Sequence, residues 1–283
     1  MELPEIGWID LPGVVNMRDI GGKPTPDGAR TRRGVVIRTD NLQDLPPASV
    51  RRLVDEFGVT DVVDLRTNLE RASTGDGPLK AEPLTFHELT LYPEDSAETG
   101  IPDDEEEEQA QLPWKDEQVL LDRQNSSHEE HLANHYFGYL NGRPEHVVAA
   151  IRAIAQAPGA VLVHCAAGKD RTGTIIAMSL TEVGVQREAV VADYDATNQR
   201  VELIFNRLAN TETYREDLAG QQVADQSTPA ATMQMLLTAL DEEYGTEQFS
   251  GVHGWLVAHG WTDEDHAALR AKLLQDTPEE ETK

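Results

Sequence analysis

Residues 160–184 read AVLVHCAAGKDRTGTIIAMSLTEVG. The first five residues, AVLVH, predict a short buried strand. TGTIIAMSLTEVG predicts a helix closed by Gly184. Between them lies a loop of small and charged residues. A strand that turns at once into a helix is the repeating unit of an α/β sheet, and ligands of such sheets bind at the carboxyl ends of the strands. Cys165, the only cysteine among 283 residues, stands at that position.

The rest of the chain supports the same class. GVVIR (34–38), VTDVVDLR (59–66) and LTFHELTLY (84–92) predict three more strands. SVRRLVDEFG (49–58) predicts a helix with Ser49 as N-cap and Gly58 past its end. PEHVVAAIRAIAQAPG (144–159) puts Val147, Val148, Ile151, Ile154 and Ala155 on one helical face. The expectation is a mostly parallel central sheet flanked by helices. After about residue 186 the chain is expected to be helical, ending with a helix capped by Thr262. One domain is expected over 1–275, followed by a frayed tail at 276–283. Residues 94–108 hold nine acidic side chains and no basic one. They predict a solvated insertion, and 94–127 a lid or insertion over the site.

Charge narrows the function. With 24 Lys+Arg against 51 Asp+Glu the net charge is 24 − 51 = −27, which opposes binding to nucleic acid or to an anionic membrane surface. The N-terminus has neither a basic nor an apolar signal region, and no apolar run is long enough to span a bilayer. A cytoplasmic protein, or one exported without a recognisable signal, is expected, with no stable membrane insertion. A lone cysteine excludes an internal disulfide and a multi-thiolate zinc site.

The loop itself predicts an anion cradle. Ala166, Ala167 and Gly168 let the backbone curl so that successive N–H groups face one point. The helix that follows adds the positive end of its dipole, and Arg171 adds a planar fork for two phosphate oxygens. This setting favours a thiolate over a thiol. A Walker loop is excluded, because Gly168-Lys169 is followed by Asp170 and glycine stands at neither 163 nor 164. The loop also lacks the build of a rhodanese loop.

HCAAGKDRTG (164–173) resembles the His-Cys-x5-Arg-Thr/Ser-Gly signature of the protein tyrosine phosphatase superfamily, in the Lys-Asp form of a bacterial and fungal tyrosine/serine phosphatase branch. NMRDIGG (16–22), GVVIRTDNLQDL (34–45), VVDLRT (62–67) and WTDEDHAALRAKLL (261–274) are similar to other elements of that branch. The acidic segment, roughly 94–127, matches none of them.

The resemblance implies metal-free hydrolysis of phosphomonoesters. Cys165 is the nucleophile, and Arg171 with the loop residues Ala166, Ala167, Gly168, Lys169, Thr172 and Gly173 binds the phosphate. Thr172 is expected to hydrogen-bond the sulfur, and His164 to orient the loop. Asp170 is the favoured general acid over Glu94 or Asp95; its structural alternative is a salt bridge to Arg18. Lys169 either holds a neighbouring phosphate or pairs with Asp64. Phosphotyrosine is the expected substrate, with phosphoserine and phosphothreonine as further candidates. Phosphoinositides are the alternative, and a non-catalytic phosphate-binding module is the reading from a different class. No cofactor is expected. His128, His131 and His135 are spaced for one helix face, which is read as a polar surface in preference to a zinc site.

Overall fold

In the computed structural model, residues 5–93 and 125–275 are described. Six strands form one sheet: β1 (Gly7–Trp8), β2 (Arg18–Asp19), β4 (Val36–Thr39), β5 (Val59–Asp64), β6 (Thr85–Glu88) and β7 (Ala160–His164), in the order β1-β2-β4-β7-β5-β6. β4, β7, β5 and β6 run parallel, while β1 and β2 add an antiparallel edge. A separate pair joins β3 (Arg30–Thr31) to β8 (Leu274–Gln275). The sheet is therefore of the expected type, and the cysteine-bearing strand lies in its middle.

Strand alternation divides the core. Val36, Val63, Val161 and Val163 face one apolar cluster; Ile37, Val62 and Leu162 face the other. That is the two-residue period of a sheet buried on both faces. The larger cluster is completed by α3 (His128–Gly142), α4 (Pro144–Gln156), α5 (Asp170–Glu182), α6 (Arg187–Asp195), α9 (Ala230–Tyr244), α10 (Gly251–Ala258) and α11 (Asp263–Leu273). The smaller is covered by α1 (Pro47–Arg51), the π-helical turn Arg52–Glu56, and the N-terminal residues Leu11, Val14 and Met17. Short helices α2 (Asn68–Thr74), α7 (Val201–Ala209) and α8 (Glu212–Leu218) lie near the carboxyl ends of the strands.

Several boundaries differ from expectation. α1 begins at Pro47, whose preset φ and missing N–H suit a first helical position; Ser49 lies inside and donates to the Pro12 carbonyl at 2.8 Å. α5 begins at Asp170, two residues earlier than its apolar pattern starts, which brings Arg171 into its first turn. Thr262 caps α11 as expected, with Asp265 completing a capping box. The expected lid (94–127) and tail (276–283), and with them Glu94 and Asp95, lie almost wholly outside the described residues; of the lid only 125–127 are described, and Ser127 caps α3. No helix among the described residues is long and apolar enough to cross a membrane.

Candidate active site

The loop from Cys165 to Arg171 is held from behind by its carbonyl groups. His164 Nδ1 lies 3.1 Å from the Cys165 carbonyl, and the Asn41 amide donates to Ala166 O at 3.0 Å. Asn16 Nδ2 donates to Ala167 O at 3.0 Å and to Gly168 O at 3.1 Å, and Arg38 Nη2 donates to Gly168 O at 2.8 Å. Drawing the carbonyls to one side turns the N–H groups to the other. The amides of Ala166, Ala167, Gly168, Lys169 and Asp170 donate to no described residue. A row of amide donors left open at the start of a helix suits an anion.

Gly168 makes this curl possible. Its φ is +64°, and a Cβ there would lie 2.3 Å from the Thr39 carbonyl oxygen.

Behind the loop, the Asp193 carboxylate faces three cations: Arg38 Nη1 at 2.7 Å, Lys23 Nζ at 3.1 Å and Arg18 Nε at 3.6 Å. All four side chains are buried, so the group carries 3 − 1 = +2. Burial alone would raise the Asp193 carboxyl, but these cations hold it far below the usual range. The net positive charge gives the loop a local field opposed to the global −27.

Arg171 is oriented by Glu70. The guanidinium makes a two-pronged contact with the carboxylate, Nη2 to Oε1 at 2.9 Å and Nη1 to Oε2, and Nη1 also reaches Leu65 O at 3.2 Å. Glu70 further accepts from Tyr214 Oη at 2.6 Å and from the Thr67 amide at 2.7 Å. The last bond belongs to a capping box that starts α2. Burial would raise the Glu70 carboxyl, but Arg171 and the other donors bring it below its usual value.

Asp170 points elsewhere than expected of a structural salt bridge. Tyr136 Oη donates to its Oδ1 at 2.6 Å, and Lys169 Nζ lies 3.6 Å from Oδ2. Burial raises this carboxyl; Lys169, the Tyr136 bond, His135 and Arg171 outweigh it and hold it below the ordinary value. Arg18 is engaged with Asn16, Asp193 and Thr197, so the Asp170–Arg18 pair is not formed. Nor is Lys169–Asp64. Lys169 Nζ donates to Gln226 O and Oε1, both at 3.1 Å. Asp64 accepts from Arg66 Nε at 2.9 Å and sits 3.7 Å from His164 Nε2. Thr172 Oγ1 is buried without a hydrogen-bond partner, so the bond to sulfur is not made here. Gly173 packs against the Tyr194 ring.

The histidines also depart from the reading of a polar surface. His128, His131 and His135 line the cavity above Cys165, with Tyr92 and Tyr139 beside them and Leu208, Tyr214 and Asp217 from α7 and α8. His135 Nε2 lies 2.6 Å from Tyr92 Oη, and burial pushes its pKa down to about 4. His128 instead meets the Ser227 carbonyl at 3.1 Å. The donor atoms of the three do not converge for a metal.

Sequence reading passed over Asn16, Arg38, Glu70, Tyr136 and Tyr214. Asn16 and Arg38 lie in the quoted stretches NMRDIGG and GVVIRTDNLQDL, and Glu70 is the fourth residue of the Thr-x-x-Glu that opens its helix.

The sequence profile of the Tyrosine phosphatase family matches residues 9–275. The chain is 30% identical over 224 residues to the triple specificity protein phosphatase PtpB of Mycobacterium tuberculosis, covering 74% of this chain and 75% of that one. It is 26% identical over 248 residues to a tyrosine-protein phosphatase of Nostoc commune, covering 84% and 74%. A solved structure of P. aeruginosa TpbA in complex with pTyr aligns with a TM-score of 0.32 at 17% identity, over 70% of this chain and 94% of that chain. With a family match that spans nearly its whole length, this chain belongs to the tyrosine phosphatase family and is a phosphatase, a hydrolase.

Proposed function

We propose that the chain hydrolyses phosphotyrosine, and phosphoserine or phosphothreonine more slowly, through a phosphocysteine intermediate. Residues 1–275 are taken as one catalytic domain, because both apolar clusters flank the same sheet. The observation that carries the reading is the set of five amides, Ala166 to Asp170, facing away from protein acceptors beside Cys165 and Arg171.

In the first step the Cys165 thiolate attacks phosphorus. The P–O bond to the leaving group breaks, and Asp170 gives that oxygen its proton. In the second step Asp170 takes a proton from water, the water oxygen attacks phosphorus, and the S–P bond breaks to release the thiolate. Arg171 and the loop amides balance charge on the non-bridging oxygens throughout. Because Asp170 is held below its ordinary pKa in the free enzyme, its proton arrives with the substrate: a phosphate monoanion shares it once docked. Asp64 and His164 position the loop without touching the reacting atoms.

The breadth of substrate rests on the wall of the cavity. Lys169 and the histidines of α3 can meet further phosphates, so phosphoinositides are the second reading. Asp217 and Asp225 on the same wall oppose a polyanion. The test is a rate panel over phosphotyrosine, phosphoserine and phosphoinositides with wild type and Cys165→Ser. Expected is highest kcat/KM for phosphotyrosine, no turnover by the variant, retained vanadate binding, and indifference to chelator. Turnover by Cys165→Ser within tenfold of wild type overturns the mechanism.

A further inference from the structure

At the opposite end of α5 from the loop, Glu182 is fully buried and faces His253 of α10 and His266 of α11. We propose that these three side chains bind one divalent transition-metal ion of the zinc class.

One oxygen of Glu182 is crowded. Glu182 Oε1 meets His266 Nδ1 at 2.6 Å, Trp261 Nε1 at 2.9 Å and His253 Nδ1 at 3.1 Å. A carboxylate oxygen offers about two lone-pair directions, so three nitrogens exceed what it can accept. Oε2 meets only the same His253 nitrogen, at 3.3 Å. A cation between the two Nδ1 atoms and Glu182 removes the excess: both imidazoles then donate lone pairs to the ion, and Trp261 keeps its bond to Oε1 as support for the ligand.

Glu182 is the last residue of a 13-residue helix, where the helix dipole is negative. A buried carboxylate there is doubly in need of positive charge. Arg270, one turn beyond His266, donates instead to the Val183 carbonyl at 3.1 Å.

Two imidazoles and one carboxylate are a zinc donor set, and tetrahedral coordination separates ligand atoms by about 3.3 Å. The three donor atoms here lie within 4.8 Å of one another. The His266 contact with Glu182 needs to lengthen appreciably, and its side chain is 32% exposed. That exposure also leaves a path for the ion and a place for a water as fourth ligand. The site would tie the C-terminal helices α10 and α11 to the helix that begins at the phosphate loop. It lies about 18 Å along α5 from that loop, 12 residues at 1.5 Å each, so it takes no part in the chemistry.

The test uses full-length protein carrying Cys165→Ser, which removes the thiol as a competing ligand, and Co2+ as a spectroscopic probe with Zn2+ as competitor. Expected are one equivalent of Co2+ with tetrahedral d–d bands, displacement by Zn2+, and a higher Tm with Zn2+. His253→Ala and His266→Ala lose these bands, and Trp261→Phe weakens binding about tenfold. Should His253→Ala fail to fold, His266→Gln, at a partly exposed ring, replaces it. Absence of Co2+ binding by the parent overturns the proposal, as does binding undiminished in the His266 variants. Loss of the bands in His131→Ala instead would move the metal to the cavity above Cys165.

Discussion

Replacing Glu70 by Gln probes the device that aims Arg171. The carboxylate accepts from Arg171 Nη1 and Nη2, Tyr214 Oη and the Thr67 amide. A glutamine has one acceptor oxygen, and its NH2 would face donors, so at least one prong of the guanidinium loses its acceptor. Breaking a buried ion pair costs about 3–5 kcal/mol. At about 2–4 °C per kcal/mol for a chain of this size, Tm should fall by roughly 10 °C. Activity should fall for a separate reason. A guanidinium no longer clamped at Oε1 and Oε2 is misplaced toward the phosphate, and losing one well-placed donor costs about 10²–10³ in kcat. The assay is kcat/KM for an aryl phosphate at a temperature well below the variant's Tm, with circular dichroism and vanadate inhibition alongside. Glu70→Asp, which keeps the charge, should recover part of the rate. A fall in Tm with kcat/KM unchanged would refute the orienting role and leave Glu70 as a structural prop. The pH dependence has a defined sign. Because Glu70 is held below its ordinary pKa, its stabilisation is fully present above about pH 4.3 and is lost as pH falls through the folded value.

Asp170→Asn should slow phosphoserine hydrolysis strongly and aryl phosphates with good leaving groups far less, since those need little protonation; uniform loss across a leaving-group series refutes the acid role. His135, held near 4 by burial, is neutral in the folded protein while the unfolded chain protonates near 6.5. Its contribution to stability is therefore lost as pH falls from about 6.5 towards 4, and urea midpoints of His135→Gln should show a flatter acid limb over that window. Gly168→Ala places a Cβ against the Thr39 carbonyl at positive φ and should weaken phosphate binding about tenfold or more, from a strain of about 1–2 kcal/mol before any clash. Equal phosphate affinity in titration would remove the curl of the loop from the argument for the site.

Local order carries much of this protein. AVLVH followed by a glycine-bearing loop and TGTIIAMSLTEVG predicted strand, turn and helix because periodicity and turn residues act over a few positions. The same is true of the Thr262 cap and of Cys165 beside Arg171, which one loop necessarily brings together. What surrounds them was decided at long range. Asn16 and Arg38 meet the loop carbonyls across more than a hundred residues, and Glu70 and Tyr214 converge on Arg171 from α2 and α8. No period or spacing encodes such meetings; they follow from strand order, which places β4 and β5 on either side of β7. The helix bearing His131 and His135 looked like an ordinary polar face for the same reason. Whether a polar stripe meets water or a cavity depends on what packs opposite, and only the folded chain supplies α7 and α8 to complete that wall.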